Sequence, residues 1–463
     1  MTLFLFALAC ESDDSSDSGY PPDTSRPDAP KRQLGTLALH DGITLSGAAA
    51  GDRFGAAVAG GDLDGDGIAE LVVGAPDAAG ALGTAYVFSG PVSGGLTAAS
   101  ATTTVAGTGA LGWGVAVVGD LDGDGRNDLA VGAPHADGDA PGSGAAYVWT
   151  NPNDAIGAAD AWLTIRGTAP GDALGARVGG AKDDAGRPVF LVGAWLADDA
   201  GVDAGGLGLF TAAAGTFGAD DAAIWLTGAD PGDWAGYGAA GGHDGDHDGV
   251  DDLLVGADGL DASGKNGGGA YFVSGAGLTS GPLADRGVRY DAEGPGDNAG
   301  HAVAWAPDTN GDGVDELLVG ALGNAAAGPR AGAAYLFSPG PAGKLGVQGS
   351  AMRGAPGDLL GYSVAGLGDA DGDERGEILL GGRFDATGGA DAGGAWLLYG
   401  PVDAAMDLTT SALHVTAGAG EEAGFVVGAG GDLDGDGLGE GLVGAPEADG
   451  GAGRVYVVRG VTP

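Results

Sequence analysis

The sequence predicts an all-β protein built as a ring of seven similar units, and two observations predict it. An acidic nonapeptide with carboxylates or amides at positions 1, 3, 5 and 9 recurs six times, beginning at Asp62, Asp120, Asp244, Asp308, Asp369 and Asp432. An apolar run that contains a shared glycine recurs seven times, at Gly74, Gly132, Gly193, Gly256, Gly320, Gly381 and Gly444. The spacing of these glycines is 58 to 64 residues, and a fixed period of this kind indicates a repeat architecture.

Each unit contains four short runs that are typical of β-strands. In the first unit they cover residues 55–64, 71–75, 84–90 and 101–107, and the acidic loop lies between the first two. Short runs rich in Val, Tyr, Phe and Thr, bounded by Gly, Pro and Asp, indicate strands, and no stretch shows sustained helical periodicity. Seven four-stranded units predict a seven-bladed β-propeller.

The two ends of the chain predict how the ring closes. The last unit has no fourth strand after Val458, whereas an extra strand, residues 43–47, precedes the first unit. We expect this N-terminal strand to complete the last blade, which would remove the open edges that favour aggregation. The alternative is an open solenoid.

The acidic loops have the chemistry of calcium sites, because Ca²⁺ takes oxygen ligands from alternate positions of a short loop. An EF-hand is excluded, since its position 12 must be acidic, and position 12 is here Val73, Val131, Val255, Val319, Leu380 or Val443. We expect the acid at position 9 to close the site. The predicted ligands are the side chains at positions 1, 3, 5 and 9 and the backbone carbonyl at position 7: Asp62, Asp64, Asp66, Ile68, Glu70; Asp120, Asp122, Asp124, Arg126, Asp128; Asp244, Asp246, Asp248, Val250, Asp252; Asp308, Asn310, Asp312, Val314, Glu316; Asp369, Asp371, Asp373, Arg375, Glu377; Asp432, Asp434, Asp436, Leu438 and Glu440.

The loops are not equivalent, so we expect five to six calcium ions. Asn310 replaces an acid in the fifth unit, and Glu374 stands where the sixth needs a glycine for a turn with positive φ. The third unit keeps only Asp183 at a ligand position and should be metal-free, with Lys182 and Arg187 supplying positive charge. The ions are expected to stabilise the blades. The alternative is that the motifs are solvated acidic turns, which Asp and Gly also favour.

The short motifs that flank each loop resemble a known repeat. Phe54-Gly55 precedes the first loop and Gly74-Ala75-Pro76 follows it. This pattern resembles the FG-GAP repeat family, the propeller of the integrin α-subunit head and of many bacterial surface proteins, over residues 36–460. The Phe-Gly motif becomes Leu-Gly or Ala-Gly in later units, and Gly-Ala-Pro is intact only at 74, 132 and 444.

The resemblance implies that ligands engage loops on the face opposite the calcium sites. Those loops are residues 133–144, 194–206, 257–268, 321–331 and 382–393. They carry His135, Trp195, Lys265, Arg330 and Arg383. For each of these side chains, an ordinary solvated position in a loop is the alternative.

Composition limits the partners. The net charge is −45, from 64 acids and 19 bases. Nucleic acid and anionic membrane surfaces are therefore poor partners. The expected partner is an extracellular protein or glycan, and the propeller is expected to be monomeric.

The N-terminus resembles a bacterial lipoprotein signal. Residues 1–10 end in Cys10, the only cysteine, after an apolar run too short to span a bilayer as a helix. This implies lipid attachment at Cys10, a flexible tether over residues 11–35 and a propeller over 36–463, in a cell-envelope protein that faces the surface or the periplasm. The signal departs from the pattern because no base precedes the apolar run and Ala7 stands where leucine is typical. The alternative is a secreted protein with an incidental cysteine.

Two classes of function remain open. The first is a calcium-stabilised, non-catalytic surface module for adhesion to protein or glycan. The second is a calcium-dependent envelope enzyme acting on polysaccharide or lipid headgroups. The sequence contains no zinc-protease motif, nucleophile elbow or phosphate-binding loop, so we expect a protein that is not an enzyme.

Overall fold

The computed structural model describes residues 35–39, 42–152, 156–402, 406 and 408–459. Over these residues the chain forms seven sheets, which are the seven blades of a β-propeller. The expected signal segment, Cys10 and nearly all of the expected tether lie outside the described residues.

The first strand of every blade faces the axis of the disc. These strands are Ala57–Gly61, Gly114–Val118, Arg177–Lys182, Ala239–His243, Ala299–Ala306, Leu360–Leu367 and Val426–Gly431. Each contacts the first strand of the next blade, and the seventh contacts the first. The ring is therefore closed, and the alternative of an open solenoid is wrong.

The second and third strands form the buried middle of each blade. The second strands are Glu70–Ala75, Asp128–Ala133, Pro188–Ala194, Asp252–Ala257, Glu316–Ala321, Glu377–Gly382 and Glu440–Ala445. The third strands are Thr84–Phe88, Ala145–Trp149, Gly206–Thr211, Gly269–Val273, Ala333–Phe337, Gly394–Leu398 and Arg454–Arg459. Their side chains point to both faces of a sheet that is covered by neighbouring blades, so the runs are apolar without alternation.

The fourth strands confirm the predicted closure. They are Thr103–Ala106, Leu163–Arg166, Ile224–Thr227, Val288–Asp291, Ser350–Arg353, Ala412–Thr416 and, in blade 7, Ile43–Ser46 from the N-terminus. Ile43–Ser46 pairs antiparallel with Arg454–Arg459. Leu45 is fully buried in a cluster that joins blade 7 to blade 1, so the closing strand contributes core as well as hydrogen bonds.

The prediction of four strands per blade was incomplete, because six of the sheets have a fifth, outermost strand. In most blades it is a short piece of the next unit's connection between its third and fourth strands. It pairs parallel with the fourth strand of the preceding blade. The fifth strands of blades 1, 2, 3, 4, 6 and 7 are Ile156–Gly157, Gly215–Gly218, Gly281–Pro282, Gly343–Lys344, Gly35–Ala38 and Leu96–Thr97. Gly35–Ala38 occupies this place in blade 6, so the N-terminal segment joins two blades.

Helices are confined to single turns. They are Ala78–Ala81, Leu283–Arg286, Leu345–Gln348, Leu408–Ser411 and Ala448–Gly451, together with the 3₁₀ turns Ala98–Ser100, Ala158–Asp160 and Ala219–Asp221. Within the described part of the chain, no helix is long and apolar enough to cross a membrane.

The shared glycine of each unit is explained by contact between blades. A Cβ atom on Gly256 would lie 1.9 Å from the carbonyl oxygen of Gly300, in the next blade. Gly132 meets the carbonyl of Gly175 in the same way, at 1.8 Å. A side chain at either position would therefore push two blades apart, which is why the repeat keeps glycine there.

Candidate metal sites and the mouth of the central channel

The six acidic loops all join a first strand to a second strand, so they lie on one face of the disc. In blade 1 the Asp62 carboxylate accepts hydrogen bonds from the backbone N–H of Gly65, at 2.6 Å, and of Gly67, at 3.0 Å. Asp64 and Asp66 each accept one from the amide two residues further on. The other five loops have closely similar bonds. The chain itself therefore shapes the loop and turns the carboxylates toward one centre.

Two positions of the acidic loop have a left-handed backbone, whereas the sequence predicted only one, at position 6. In blade 1, φ is +80° at Gly65 (position 4) and +89° at Gly67 (position 6). Side-chain-bearing residues occupy these conformations at His247, with φ of +61°, and at Glu374, with φ of +68°. Such backbone is strained for residues other than glycine, so the expectation of strain at Glu374 is confirmed.

The acid at position 9 is buried in every one of the six loops. Its exposed fraction does not exceed 3% in Glu70, Asp128, Asp252, Glu316, Glu377 and Glu440. One of its oxygens accepts the backbone N–H of position 2, at 2.5 to 2.9 Å. This bond fixes the carboxylate beneath the loop. In blades 1, 4 and 6 the second oxygen accepts a further backbone N–H, from Gly90, Gly275 and Gly400.

The cost of these buried acids appears in their pKa values. Burial, and then repulsion from the loop aspartates, raises the pKa of Glu377 to about 8 and those of Asp128 and Glu440 to about 7. The pKa of Asp252 rises to about 6, again mainly through burial. A positive charge in the loop would reverse this effect, because it favours the ionised carboxylate.

The geometry fits a hard cation in at least five loops. Carboxylate oxygens lie within 4.8 Å of one another in the groups Asp62–Asp64–Asp66, Asp120–Asp122–Asp128, Asp244–Asp246–Asp248, Asp308–Asp312–Glu316 and Asp369–Asp371–Glu377. Two oxygens that share one Ca²⁺ at about 2.4 Å can be at most about 4.8 Å apart. In addition, Oδ1 of Asp128 is buried and has no hydrogen-bond partner among the described residues. A buried oxygen that has no protein partner is available to bind a metal ion.

In some loops an arginine or an amide group already contacts one of the acids. The Asn310 side-chain amide donates to Oε1 of Glu316 at 2.5 Å. Arg459 reaches Asp434 at 2.5 Å, and Arg375 reaches Asp373 at 3.3 Å. These contacts distinguish blades 5, 6 and 7 from blade 1.

In blade 3 a side chain supplies positive charge to the loop. The Arg187 guanidinium lies 2.6 Å from the Asp183 carboxylate and holds the pKa of Asp183 below its usual value. Of the two bases expected to compensate, Arg187 does so. Lys182 instead contributes its backbone N–H, which donates to Asp251.

The opposite face of the disc carries a feature that the sequence analysis missed. In each unit one residue directly follows the glycine of the Phe-Gly, Leu-Gly or Ala-Gly motif, at the start of the first strand. These residues are Ala56, Trp113, Ala176, Tyr237, His301, Tyr362 and Phe425. All seven line one pocket at the mouth of the central channel. Five of the seven are aromatic, and their fixed place in the repeat was the signal available in the sequence.

Four of these five aromatic side chains form a continuous arc. Ring centroids are 4.7 Å apart between Tyr237 and His301, 5.1 Å between His301 and Tyr362, and 5.5 Å between Tyr362 and Phe425. The guanidinium of Arg383 lies 4.9 Å from the Phe425 ring centre. Aromatic and cation–π contacts of this length are favourable, so the mouth of the channel is a preformed surface.

Several of the residues that the resemblance placed on this face join the arc. Trp195 packs edge-on against Tyr237 with centroids 5.4 Å apart, and His135 packs edge-on against Trp113 at 5.5 Å. Arg330 lies over the ring of Phe384 at 5.6 Å. Lys265 contributes a backbone carbonyl to a turn. The loops after the second strands therefore extend the channel mouth outward.

The fold and the loops define a class of protein: a closed seven-bladed propeller with acidic loops on one face. The FG-GAP repeat profile matches residues 54–88 and 111–149, which lie in blades 1 and 2. The chain therefore contains FG-GAP repeats within a seven-bladed propeller, as the sequence resemblance predicted.

Two solved structures are similar to the chain. The structure of BBS1N in complex with ARL6DN, soaked with lead, has 9% identity and a TM-score of 0.47, covering 90% of this chain and 94% of that one. The structure of Sqt1 from Chaetomium thermophilum has 13% identity and a TM-score of 0.44, covering 90% of this chain and 98% of that one. Neither likeness is close enough to bear on function. No curated protein matches the chain.

Proposed function

We propose that this protein is a calcium-stabilised, non-catalytic surface propeller that binds a protein or glycan partner through the face opposite its acidic loops. The observation that carries the calcium proposal is the clustering of loop carboxylates within 4.8 Å of one another, which includes the buried position-9 acid in blades 2, 5 and 6. Propellers of FG-GAP repeats are commonly binding modules and generally not enzymes. Attachment through Cys10 to a cell envelope is the proposal for its location.

The acids and the aromatic residues are arranged differently, which supports binding over catalysis. The carboxylates repeat one arrangement in six of the seven blades. The aromatic arc occurs once, at the axis, where all blades meet. A repeated set suits a stabilising ion, whereas a single convergent surface suits recognition.

Calcium withdrawal tests the first half of the proposal. With about 2 mM calcium and a Kd of about 10⁻⁴ to 10⁻³ M, each site stabilises the fold by about 0.7 to 1.8 kcal/mol. Five sites then contribute about 3 to 9 kcal/mol, and for the roughly 420 described residues this corresponds to a Tm change of about 4 to 10 °C. The measurement is thermal unfolding in calcium and in EGTA, with a count of bound ions by equilibrium dialysis. An unchanged Tm with no bound ions would refute it.

Partner binding tests the second half. The full chain would be presented to arrays of glycans and extracellular proteins in calcium, with Tyr362→Ala as the variant of the channel mouth. Binding that is lost in EGTA and in Tyr362→Ala supports the proposal. Turnover of a polysaccharide or ester substrate, abolished by one acid outside the loops, would replace it with the enzymatic alternative.

A further inference from the structure

One arginine lies in the lining of the channel mouth without a carboxylate partner in the described part of the chain. The pocket has a volume of about 120 Å³ and is lined by the starts of the first strands of all seven blades. Arg177 belongs to this lining, on the first strand of blade 3. Its Nε donates to the backbone carbonyl of Tyr237 at 3.3 Å. The Arg177 side chain is half-buried in this lining.

The other arginines around the pocket are already paired. Arg53 lies 3.2 Å from Glu447, and Arg383 lies 2.7 Å from Glu422. The carboxylate of Asp258, in turn, is bound to His301 at 3.0 Å. Among the described residues, no carboxylate lies within ion-pair distance of Arg177.

Arg177 has no ion-pair partner among the described residues, although the chain has a net charge of −45. Burial lowers the pKa of Arg177, but a guanidinium stays protonated at neutral pH. Its terminal N–H groups therefore offer a planar pair of donors, which matches the two oxygens of a carboxylate. Removing a charge from water without a partner is costly, so a bound anion would lower the free energy of this site.

The size and walls of the pocket restrict what that anion can be. A cavity of about 150 Å³ accommodates benzene, so 120 Å³ accommodates a group of a few heavy atoms. An Asp or Glu side chain fits, whereas a whole uronic acid ring does not. The aromatic arc would pack against the methylene groups of such a side chain. Because the rest of the protein is acidic, the surface around the inserted acid should be neutral or basic.

We propose that the mouth of the central channel is a carboxylate pocket, in which Arg177 binds the side chain of a single acidic residue projecting from a partner protein. This inference rests on the proposed function and specifies it: the partner is a protein, and its anchor is an acid inserted along the propeller axis. The contact positions one residue at the centre of the face, and the surrounding loops are then free to contact the partner's adjoining surface.

The test uses the full chain in calcium and a small probe, N-acetyl-glutamate methylamide. Saturation-transfer NMR measures its binding, with the neutral glutamine analogue and glucuronate as comparison ligands. We expect the glutamate probe to bind with a Kd on the order of millimolar and the glutamine probe to bind at least tenfold more weakly. Arg177→Gln should weaken the glutamate probe at least tenfold. Arg166→Gln, which removes an exposed arginine 3.7 Å from Asp139, should leave it unchanged.

Each other outcome overturns the inference. Equal binding of the glutamate and glutamine probes would show an apolar pocket, and tighter binding of glucuronate would assign the pocket to acidic glycans. If Arg177→Gln lowers the Tm of the protein, the Arg177→Lys variant serves as the second test, because it keeps the charge without the planar pair of donors. The Arg177→Lys variant should bind glutamate more weakly than the parent chain and more tightly than the Arg177→Gln variant. Failure of the glutamate probe together with an intact calcium-dependent partner interaction would refute the carboxylate pocket alone. Failure of every partner screen would refute the proposed function.

Discussion

Replacing Asp128 with asparagine should stabilise the fold without calcium, and calcium should shrink or reverse that gain. Asp128 is 1% exposed, one of its oxygens has no hydrogen-bond partner, and three loop aspartates raise its energy further. An asparagine side chain keeps the shape and can still accept the Leu121 N–H, which donates to Asp128 at 2.8 Å. Asn310 already donates an amide hydrogen to a position-9 acid in blade 5, so an amide is tolerated in such a loop.

The expected changes in stability without and with calcium have different physical causes. In EGTA at pH 8 the substitution removes a buried charge whose pKa is raised from 3.8 to about 7. Because the folded pKa lies above the unfolded one, the charged form destabilises the fold at high pH, and Asp128→Asn should stabilise it by about 1 to 4 kcal/mol. This gain shrinks as the pH falls below about 7 and vanishes below about 4. In about 2 mM calcium the substitution also removes a ligand, and the loss of that site costs about 0.7 to 1.8 kcal/mol.

The assay is thermal unfolding of both proteins at pH 8, in calcium and in EGTA. We expect the Asp128→Asn variant to melt higher than the parent in EGTA, and the advantage to shrink or reverse in calcium. Asp139→Asn is the control, since Asp139 is an acid of the same blade whose side chain is 53% exposed. A difference of the same size in both buffers would refute the assignment of Asp128 as a calcium ligand.

Three further predictions concern the fold. Burial and two neighbouring aspartates raise the pKa of Asp172 to about 6, so Asp172→Asn should stabilise the protein by about 1 to 2 kcal/mol at pH 7.5. The gain should fall by about half at pH 5, and a gain independent of pH in thermal unfolding would contradict the reasoning. Gly256→Ala should cost about 3 kcal/mol or more, because its Cβ has no room between blades. Gly294→Ala, with nothing within 4 Å, should be neutral in denaturant unfolding; equal effects would refute the contact between blades. Leu45→Ala in the closing strand should cost about 2 to 5 kcal/mol, against no measurable change for Val347→Ala, which is 82% exposed. A Leu45→Ala variant with an unchanged Tm would mean that the N-terminal strand does not hold the ring closed.

Most of the architecture follows from patterns that are short in sequence. Strand composition, the turn preferences of Asp and Gly and the repeat period are local properties, so they predicted seven blades, the loop positions and the divergent third loop. The closing strand was also predictable, because the strand missing from the last unit and the extra strand before the first have the same pattern. The fifth strands were not, since pieces such as Leu96–Thr97 are only two residues long and form only against the edge of another blade.

The sequence by itself determined the ring, the acidic loops and the spacing of their acids, because each depends on residues that are neighbours in the chain. Only the tertiary structure decided how deeply Glu377 is buried, that Gly256 faces a carbonyl of the next blade, and that Arg177 lies unpaired among aromatic rings. Most of these features depend on residues from different repeats that meet only when the ring closes. Their energies come from burial and from contacts across the axis, and no single repeat contains either.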